Sequence, residues 1–316
     1  MTLAVRIRSF GGPEVLEVAE VADPIAPDDG VVIDVRAAGV NPIDWKIREG
    51  RTAAGELAEP RGLGSDAAGV VSSVGAHPGP FAIGDEVIGR GLTDAYATQV
   101  AAPSSRLTRK PASLSWEEGA ALGMPAGTAY QALKSLGVAA GETLLVHAGA
   151  GAVGMAAVQF ARHWGLTVVA TASKQRHARL VELGAIPVAY GDGLLERIRA
   201  AAPDGIDVAL DIAGTDEALS TSLALVADRS RIATLVAVQA AGALGIRLFS
   251  ENFGGGLDDT GKALRVEGTA VAADLAGRGL FQIDIAGVYP FEKAADAHRQ
   301  SETGHVNGKI VLVPAL

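Results

Sequence analysis

The sequence predicts an α/β protein in two parts: a β-rich region, followed by a parallel sheet that is covered by helices on both faces. Up to about residue 118, short alternating or apolar runs are separated by glycine- and proline-rich turns, a pattern typical of a barrel or sandwich. Beyond that point, apolar runs alternate with helical stretches, which indicates a doubly wound parallel sheet. A chain of 316 residues is long enough for two such domains.

Several strand-like runs make up the β-rich region, and a helix follows them. In order, the runs are LAVRIRS, VVIDVRAAGV, AAGVVSSVG, GDEVIGR, YATQVAA and RLTRKP. Ser115 is a suitable N-cap for the helix, because a side-chain hydroxyl accepts an unpaired backbone N–H. Glu117 and Glu118 then place negative charge at the positive end of the helix dipole.

The second part begins at the strand TLLVHAG and alternates strand and helix from there. Its later strand-like runs are LTVVATA, IPVAY, IDVALDIAG and RIATLVA, with helical stretches between them. The glycine-rich stretch ENFGGGLDDTG predicts a loose loop. The tail IDIAGVYPFEKAADAHRQSETGHVNGKIVLVP predicts a strand, a helix and a final strand.

Composition and charge exclude several classes of protein. Apolar residues make up 48% of the chain and charged residues 20%, which leaves little room for disorder. The formal net charge of −9 is the opposite of what nucleic acid or an anionic membrane surface attracts, so we expect neither partner. The longest apolar run, IATLVAVQAAGALGI, is shorter than the ~20 residues of a membrane helix, and the N-terminus lacks a signal-peptide core. We therefore expect a cytoplasmic protein.

A glycine-rich turn, HAGAGAVG, joins the strand TLLV to a helix. Gly149, Gly151 and Gly154 form the pattern G-x-G-x-x-G, which is weak alone but predicts dinucleotide binding between a strand and a helix. The first glycine permits the tight turn, the second lets a pyrophosphate approach the backbone, and the third lets the helix pack closely. The predicted pyrophosphate-binding residues are Gly149, Ala150, Gly151, Ala152, Val153 and Gly154.

The end of the next strand distinguishes NAD from NADP. An NAD site usually carries an acidic residue there for the ribose hydroxyls, whereas the stretch VVATASKQRHAR has none. Ser173, Lys174 and Arg176 offer a hydroxyl and positive charges, which suit a 2′-phosphate. We therefore predict NADPH as the cofactor, with a solvated helix face as the alternative explanation for the later arginines, such as Arg179.

Together these stretches resemble the medium-chain dehydrogenase/reductase superfamily, and within it the zinc-free quinone oxidoreductases that include ζ-crystallin. The resemblance covers nearly the whole chain and is carried by GETLLVHAGAGAVGMAAVQFAR, AAGVNPIDWKIREG, PRGLGSDAAGVVSSVG, GMPAGTAYQAL and HVNGKIVLVP. Ala152 departs from the group, which usually has a second consecutive glycine there. The resemblance implies a GroES-like catalytic domain at 1–120 and 280–316, with a Rossmann domain at 121–279 inserted between its parts and the active site in the cleft.

The resemblance also implies site residues, each with a structural alternative. Asn41, Asp44, Lys46 and Tyr96 are the expected catalytic residues, although Asp44 is equally explained as a turn cap, Lys46 as an exposed side chain and Tyr96 as packing. The remaining expected cofactor-binding residues are Thr128, Tyr190, Phe249, Ser250 and Lys309. Helix capping would also explain Thr128, and an ordinary strand-edge position would also explain Lys309.

No metal is expected. Zinc-dependent relatives place a cysteine where Asn41 stands and a His-Glu pair where Gly64 to Asp66 stand, and this chain has no cysteine at all. Its histidines are His77, His147, His163, His177, His298 and His305. They are scattered along the sequence, whereas catalytic zinc needs three clustered protein ligands.

Without a metal to polarise a simple carbonyl, a conjugated acceptor is the better substrate. A quinone or enone takes hydride at carbon and spreads the negative charge to oxygen, where hydrogen-bond donors stabilise it. We expect an NADPH-dependent reductase of quinones or of α,β-unsaturated carbonyls, and the sequence leaves open which is preferred. A non-catalytic NADPH-binding scaffold is the alternative from another class. The resemblance implies a homodimer, with ALGIRLF as the edge strand that would pair.

Overall fold

The computed structural model describes residues 1–52, 55–250, 257–304 and 306–315. The chain divides into two compact units: a terminal unit, Met1–Met124 with Thr269–Leu316, and a central unit, Pro125–Gly268. Residues 121–124 and 269–279 thus fall in the terminal unit, whereas we expected them in the inserted domain. The reason is that both divisions lie inside long helices, α2 (Trp116–Leu136) and α8 (Asp259–Gly277), and not in loops.

The terminal unit consists mainly of two sheets. Its strands are β1 (Thr2–Ile7), β2 (Glu17–Val21), β3 (Gly30–Val40), β4 (Arg61–Gly62), β5 (Asp66–Val74), β6 (Glu86–Arg90), β7 (Gln99–Pro103), β8 (Leu107–Arg109), β15 (Ile285–Pro290) and β16 (Lys309–Val313). The smaller sheet has the order β2-β1-β4, and the larger one β15-β16-β3-β5-β6-β8, with β7 also on β3. Helices α1 (Pro42–Arg48) and α9 (Ala294–Glu302) accompany them. The predicted strands are therefore confirmed, including the strand, helix and strand of the tail.

The central unit is a parallel sheet of the order β11-β10-β9-β12-β13-β14. Its strands are β9 (Thr143–His147), β10 (Thr167–Ala172), β11 (Ile186–Ala189), β12 (Val208–Asp211), β13 (Ile232–Thr234) and β14 (Arg247–Leu248). Its own helices are α3 (Ala152–His163), α4 (His177–Glu182), α5 (Leu194–Ala201), α6 (Asp216–Leu225) and α7 (Val238–Leu244). This order is that of a doubly wound dinucleotide-binding sheet, so the predicted fold class is confirmed.

Three local predictions have different outcomes. Ser115 does cap α2: its Oγ accepts from Glu118 N at 3.1 Å, and the Glu118 carboxylate accepts from Ser115 N at 2.8 Å, a capping box. The predicted loop ENFGGGLDDTG lies outside the described residues over 251–256. For residues 259–261 the prediction of a loop is wrong, because α8 begins at Asp259. The side chain of Asp258 accepts a hydrogen bond from the backbone N–H of Gly261 at 2.7 Å and so caps this helix. None of the described helices is long and apolar enough to cross a membrane.

A buried arginine joins α1 to α9 in the terminal unit. Arg48 is 0% exposed, and its guanidinium donates to Glu302 Oε1 at 2.6 Å and to the carbonyl of Gly11 at 3.0 Å. His298 Nδ1 lies 3.4 Å from Arg48 Nη1. Burial, together with the positive charge of Arg48, lowers the pKa of His298 to about 3. His298 is therefore neutral in the folded protein at physiological pH.

The lowered pKa of His298 predicts a loss of stability in acid. Below pH 6.5, the ordinary pKa of histidine, His298 binds a proton in the unfolded chain but stays neutral in the folded chain. The free energy of unfolding therefore falls as pH falls. Relative to the wild type, His298→Gln should gain about 2 kcal/mol of stability on going from about pH 8 to about pH 5. Urea unfolding at the two pH values measures this difference.

The matched control for this experiment is His163→Gln, since His163 is exposed at the end of α3. A His163→Gln variant should keep the wild-type difference between the two pH values. If His298→Gln also keeps it, then His298 does not remain neutral in the folded protein.

Candidate active site

Three neighbouring strands of the central sheet end at one edge, and each is followed by predicted cofactor residues. Strand β9 leads into the turn from Gly149 to Gly154, β10 leads to Ser173, and β11 leads to Tyr190. Strand β10 pairs in parallel with both β9 and β11, so these segments lie side by side at the carboxyl edge. That edge is where doubly wound sheets bind dinucleotides.

Two glycines of the turn are required by the protein itself. A Cβ at Gly149 would lie 2.6 Å from Ala170 Cβ, and one at Gly154 would lie 2.4 Å from the carbonyl oxygen of Ala148. Both distances are below van der Waals contact, so these glycines let the turn pack against β10 and let α3 begin close to β9. Ala148 has φ +58°, a left-handed conformation that costs a non-glycine residue roughly 1–2 kcal/mol.

Gly151 is different, because nothing in the protein requires it to be glycine. Its φ of −76° is ordinary, and a Cβ there would meet only the carbonyl oxygen of Ala148, at 3.6 Å. Gly151 caps α3, whose first residues are Ala152 and Val153, so the unpaired N–H groups of the first helical turn are next to it. The space over Gly151 and the free helix N-terminus fit a pyrophosphate.

The turn is tied to the end of the next strand by backbone hydrogen bonds. Ala148 N donates to Thr171 Oγ1 at 3.2 Å, and Gly149 N donates to the carbonyl of Thr171 at 2.9 Å. Ser173 follows two residues later and precedes a short 3₁₀ turn, Lys174–Arg176. Lys174 is exposed and Arg176 is half-buried. These two hydrogen bonds fix the distance between the glycine turn and the basic segment Lys174–Arg176.

Tyr190 projects from the third of these segments, with 57% of its surface exposed. The loop that carries Tyr190 is held in place by Arg197. Its guanidinium donates to the carbonyl of Ala189 at 2.8 Å, to that of Gly191 at 2.7 Å and to that of Asp192 at 2.6 Å. The sequence analysis missed Arg197, because a single arginine on the helix after a strand gives no signal of its own.

The remaining predicted cofactor residues of the central unit are mostly buried. Phe249 and Ser250 directly follow β14 and are each 7% exposed. The carbonyl of Phe249 accepts from Arg265 Nη2 at 3.2 Å, and the guanidinium of Arg247 lies 4.8 Å from the centre of the Phe249 ring. Thr128 lies in α2 and is 8% exposed. It occupies the interior of that helix, so it does not cap it.

In the terminal unit, the predicted residues Asn41, Asp44 and Tyr96 form one buried network. Asp44 Oδ2 accepts from the backbone N of Asn41 at 2.8 Å and from the hydroxyl of Tyr96 at 2.7 Å. All three residues are at most 2% exposed. Burial raises the pKa of Asp44 to about 6, against the opposing effect of these hydrogen bonds and of Lys309, so this carboxyl group changes its charge near neutral pH.

A second buried carboxylate, Asp66, completes this network. Asp66 Oδ2 accepts from Asn41 Nδ2 at 3.0 Å and from the backbone N of Met124 at 2.9 Å. Burial raises the pKa of Asp66, while Lys309, Asn41 and Arg90 oppose the shift. The amide of Asn41, which we expected to face a substrate, thus donates to Asp66. The sequence analysis missed Asp66 as a site residue, although an acid that opens the uncharged strand AAGVV is a signal.

Lys309 lies in this network too, in the terminal unit. It is 5% exposed, and its Nζ donates to the carbonyl of Val40 at 2.5 Å. Lys46, in contrast, is half-buried on α1, with Nζ 5.5 Å from the centre of the Trp45 ring. Burial, and next the charge of Arg51, lowers the pKa of Lys46. Of these two lysines of the terminal unit, Lys309 is therefore buried and Lys46 is partly exposed.

The donor set of this network does not fit zinc. Asn41 and Asp66 are hydrogen-bonded to each other, and the positive charge of the buried Lys309 acts on Asp66. Within the described ranges, no group of three or more His, Cys, Asp or Glu residues is arranged to hold a metal ion. His305 lies outside the described residues.

Comparison with known proteins gives the family. The model of the alcohol dehydrogenase GroES-like domain matches residues 27–134, and that of the zinc-binding dehydrogenases matches residues 183–312. Human quinone oxidoreductase is 32% identical over 330 residues, which cover 98% of this chain and 97% of that protein. The chain belongs to the quinone oxidoreductases of the medium-chain dehydrogenase/reductase superfamily. The predicted family and enzyme class, an oxidoreductase, are therefore confirmed.

Two further relatives bear on the cofactor. The NADPH-dependent alkenal/one oxidoreductase of Arabidopsis thaliana is 30% identical over 319 residues, covering 96% of this chain and 78% of that protein. The crystal structure of Escherichia coli quinone oxidoreductase complexed with NADPH is 25% identical and has a TM-score of 0.82, covering 99% of this chain and all of that one. A nicotinamide cofactor, as predicted, is thus common to the family.

The geometry of the turn predicts that Gly151→Ala separates folding from cofactor binding. The added methyl group has room in the protein, so the thermal unfolding midpoint should stay close to that of the wild type. The same methyl group fills the space that a pyrophosphate needs, so the Kd for NADPH, measured by fluorescence titration, should rise about tenfold or more.

Gly154→Ala is the matched control, since its methyl group would collide with the backbone of the turn. We expect it to lower stability by about 1–3 kcal/mol. Unchanged NADPH affinity in Gly151→Ala would mean that this turn does not bind the pyrophosphate.

Proposed function

We propose that the protein is an NADPH-dependent reductase of quinones or α,β-unsaturated carbonyls that works without zinc. The observation that carries this proposal is the carboxyl edge of the central sheet. There the open glycine turn lies beside a strand end with Ser173 and Lys174 and without an acid. The relatives named for quinone and alkenal/one reduction support the same reaction class.

The central unit holds the cofactor in this proposal. The turn from Gly149 to Gly154 binds the pyrophosphate, and Ser173, Lys174 and Arg176 bind the 2′-phosphate through charge-assisted hydrogen bonds. Tyr190, on the loop fixed by Arg197, contacts the adenosine side. The residues proposed for the nicotinamide side are Thr128, Phe249 and Ser250. When bound, NADPH supplies a hydride to the carbon of a conjugated acceptor.

The terminal unit handles the charge and the proton of the acceptor. After hydride addition at carbon, the acceptor oxygen carries negative charge and must gain a proton. Asp44, with a pKa of about 6, holds or releases a proton near neutral pH, and the hydroxyl of Tyr96 is bonded to it at 2.7 Å. Lys46 adds positive charge for that oxygen, while Asn41 donates to Asp66 and so holds the network in place.

The donor set supports zinc independence. A catalytic zinc ion would need open carboxylate, imidazole or thiolate ligands in a cluster, whereas Asn41 and Asp66 are hydrogen-bonded to each other and the charge of Lys309 acts on Asp66. A simple alcohol or ketone lacks the conjugation that makes hydride transfer feasible without such a metal. For this reason we propose conjugated acceptors.

We further propose that the protein is a homodimer that pairs through β14. This strand is the last in the order of the central sheet, next to β13. An edge strand offers backbone N–H and C=O groups to a second chain. Size-exclusion chromatography with light scattering should give twice the mass of 32.1 kDa. A monomer would rule out this assembly.

Turnover by the purified protein tests the proposed function. NADPH and NADH should be offered separately, each with benzoquinones, naphthoquinones, enals, cyclic enones and simple ketones. We expect the nicotinamide absorbance to fall quickly with NADPH and one conjugated class, and to change little with ketones. Treatment with a chelator should leave the rate unchanged. Tight NADPH binding without turnover of any acceptor would favour a cofactor-binding scaffold instead.

Removal of one charge tests the choice of NADPH. Lys174→Ala should raise the Kd for NADPH about tenfold or more and leave that for NADH nearly unchanged, because only NADPH carries the 2′-phosphate. Arg179→Ala is the matched control: Arg179 lies nearby but is paired with Glu182 at 3.0 Å. Equal effects of Lys174→Ala on both cofactors would contradict the assignment.

A further inference from the structure

The C-terminal strand brings a lysine into the interior of the terminal unit, where two acids are buried. Strand β16 pairs antiparallel with β3, with Ile310 opposite Val40, so Lys309 lies where β3 ends. Its Nζ donates to the carbonyl of Val40 at 2.5 Å, across 269 residues of sequence. Nζ also lies close to Gly39, where an added Cβ would be 3.0 Å from Nζ and 2.3 Å from the carbonyl oxygen of Ala120.

The positive charge of Lys309 is needed to balance the negative charges of the two buried acids, Asp44 and Asp66. Asp44 and Asp66 are 1% and 0% exposed. Asp66 stands opposite Gly39 in the pairing of β3 with β5, and Asp44 follows four residues after Val40, so both acids lie close to the segment that Nζ of Lys309 contacts, and its charge acts on both.

Arg90 is also buried and stands opposite Asp66 in the pairing of β5 with β6. It acts on Asp66, whereas Lys309 is the cation that acts on Asp44. Without Lys309, Asp66 would keep only the charge of Arg90, and neither cation would act on Asp44.

The two carboxylates in turn fix the donors of the proposed catalytic network. Asp44 accepts from Tyr96 and from the backbone of Asn41. Asp66 accepts from the side chain of Asn41 and from Met124 N. A carboxyl group that gained a proton would itself become a donor and would compete with these groups for acceptors. The geometry of Asn41 and Tyr96 therefore depends on the charge of both acids.

We propose that Lys309 is a positioning residue: its buried ammonium is the counter-ion that keeps Asp44 and Asp66 as acceptors for Tyr96 and Asn41. This role differs from the cofactor contact expected from the sequence. It rests on the proposed function as far as activity is concerned. The charge balance itself is a property of the folded chain and is testable without turnover.

Lys309→Met tests the proposal through stability and binding first. Loss of the cation raises the pKa of the buried acids, so folding takes up a proton and the stability of the variant must fall as pH rises. We expect its thermal midpoint to lie several degrees below the wild type at about pH 8, and closer to it at about pH 5. The Kd for NADPH should stay within about twofold, since Lys309 does not contact the cofactor in this proposal.

Activity provides the second readout. With a conjugated acceptor at neutral pH, kcat of Lys309→Met should fall about tenfold or more while KM for NADPH is kept, and the pH profile should move to higher pH with the pKa of Asp44. The charged groups that act on Asp44 are Lys309 and Asp66, with Tyr96 bonded to it. Lys293→Met is the control, because Lys293 is exposed and pairs with Asp296 at 3.8 Å.

The double variant Lys309→Met with Asp66→Asn separates lost charge balance from lost packing. It removes one positive and one negative charge, and the amide oxygen introduced at position 66 still accepts a hydrogen bond. We expect the double variant to recover most of the midpoint at about pH 8 and part of kcat. A double variant that recovers neither the thermal midpoint at about pH 8 nor kcat would overturn the proposal.

Two other results would also overturn it. One is a Lys309→Met variant with wild-type stability at every pH. The other is a Lys309→Met variant whose Kd for NADPH rises about tenfold or more, which would indicate a cofactor contact. If the wild type turns over no acceptor, the proposed reductase function fails, yet the unfolding experiments still decide the role of Lys309.

Discussion

The pairing of β16 with β3 is the constraint on which the terminal unit depends. It carries the ammonium of Lys309 to the carbonyl of Val40, next to the point where the chain turns into α1 and presents Asn41 and Asp44. Buried carboxylates are costly unless a cation and hydrogen-bond donors compensate them. The donors to both acids, namely Asn41, Tyr96 and Met124, come from the first part of the chain, and Lys309 comes from its last strand.

The central unit solves a different problem, that of bringing a backbone close to a dinucleotide. Gly149 and Gly154 are used by the protein to pack the turn against β10 and α3. Gly151 is not used in this way, and its open space is what a pyrophosphate would occupy. In the proposed function, the central unit offers backbone N–H groups and positive charge to the cofactor, and the terminal unit offers the buried acid Asp44 to the acceptor.

Periodicity and turn chemistry in the sequence were sufficient for most strands, and for the cap at Ser115, because those signals are local. They were insufficient for the short strands β2 and β4. They were also insufficient for α7, which lies in the mostly apolar run ATLVAVQAAGALGI, and for the start of α8, because aspartate and glycine there suggest a turn. Domain borders inside α2 and α8 carry no composition change. The proximity of Lys309 to Asp66 depends on strand pairing over a long sequence distance, and no local pattern encodes it.

The site residues show the same difference between local signals, which a sequence reveals, and long-range contacts, which it does not. The glycine turn and the basic strand end are adjacent in sequence to the strands that position them, so both could be predicted. Asn41 was predicted to face a substrate because its position alone was visible, whereas its amide donates to Asp66 at 3.0 Å. Arg197 acts through three carbonyl groups, and backbone contacts of this kind leave no pattern in a single sequence.

Direct hydride transfer to a conjugated acceptor without a metal is the central step of the proposed function, and an isotope experiment tests it most directly. NADPH carrying deuterium at the transferred position would be reacted with an α,β-unsaturated ketone by chelator-treated protein, and the product examined by NMR. The account predicts deuterium at the β-carbon of the product and a proton from solvent at the α-carbon. Oxidation of NADPH with no deuterium in the product, or loss of activity with the chelator, would contradict it.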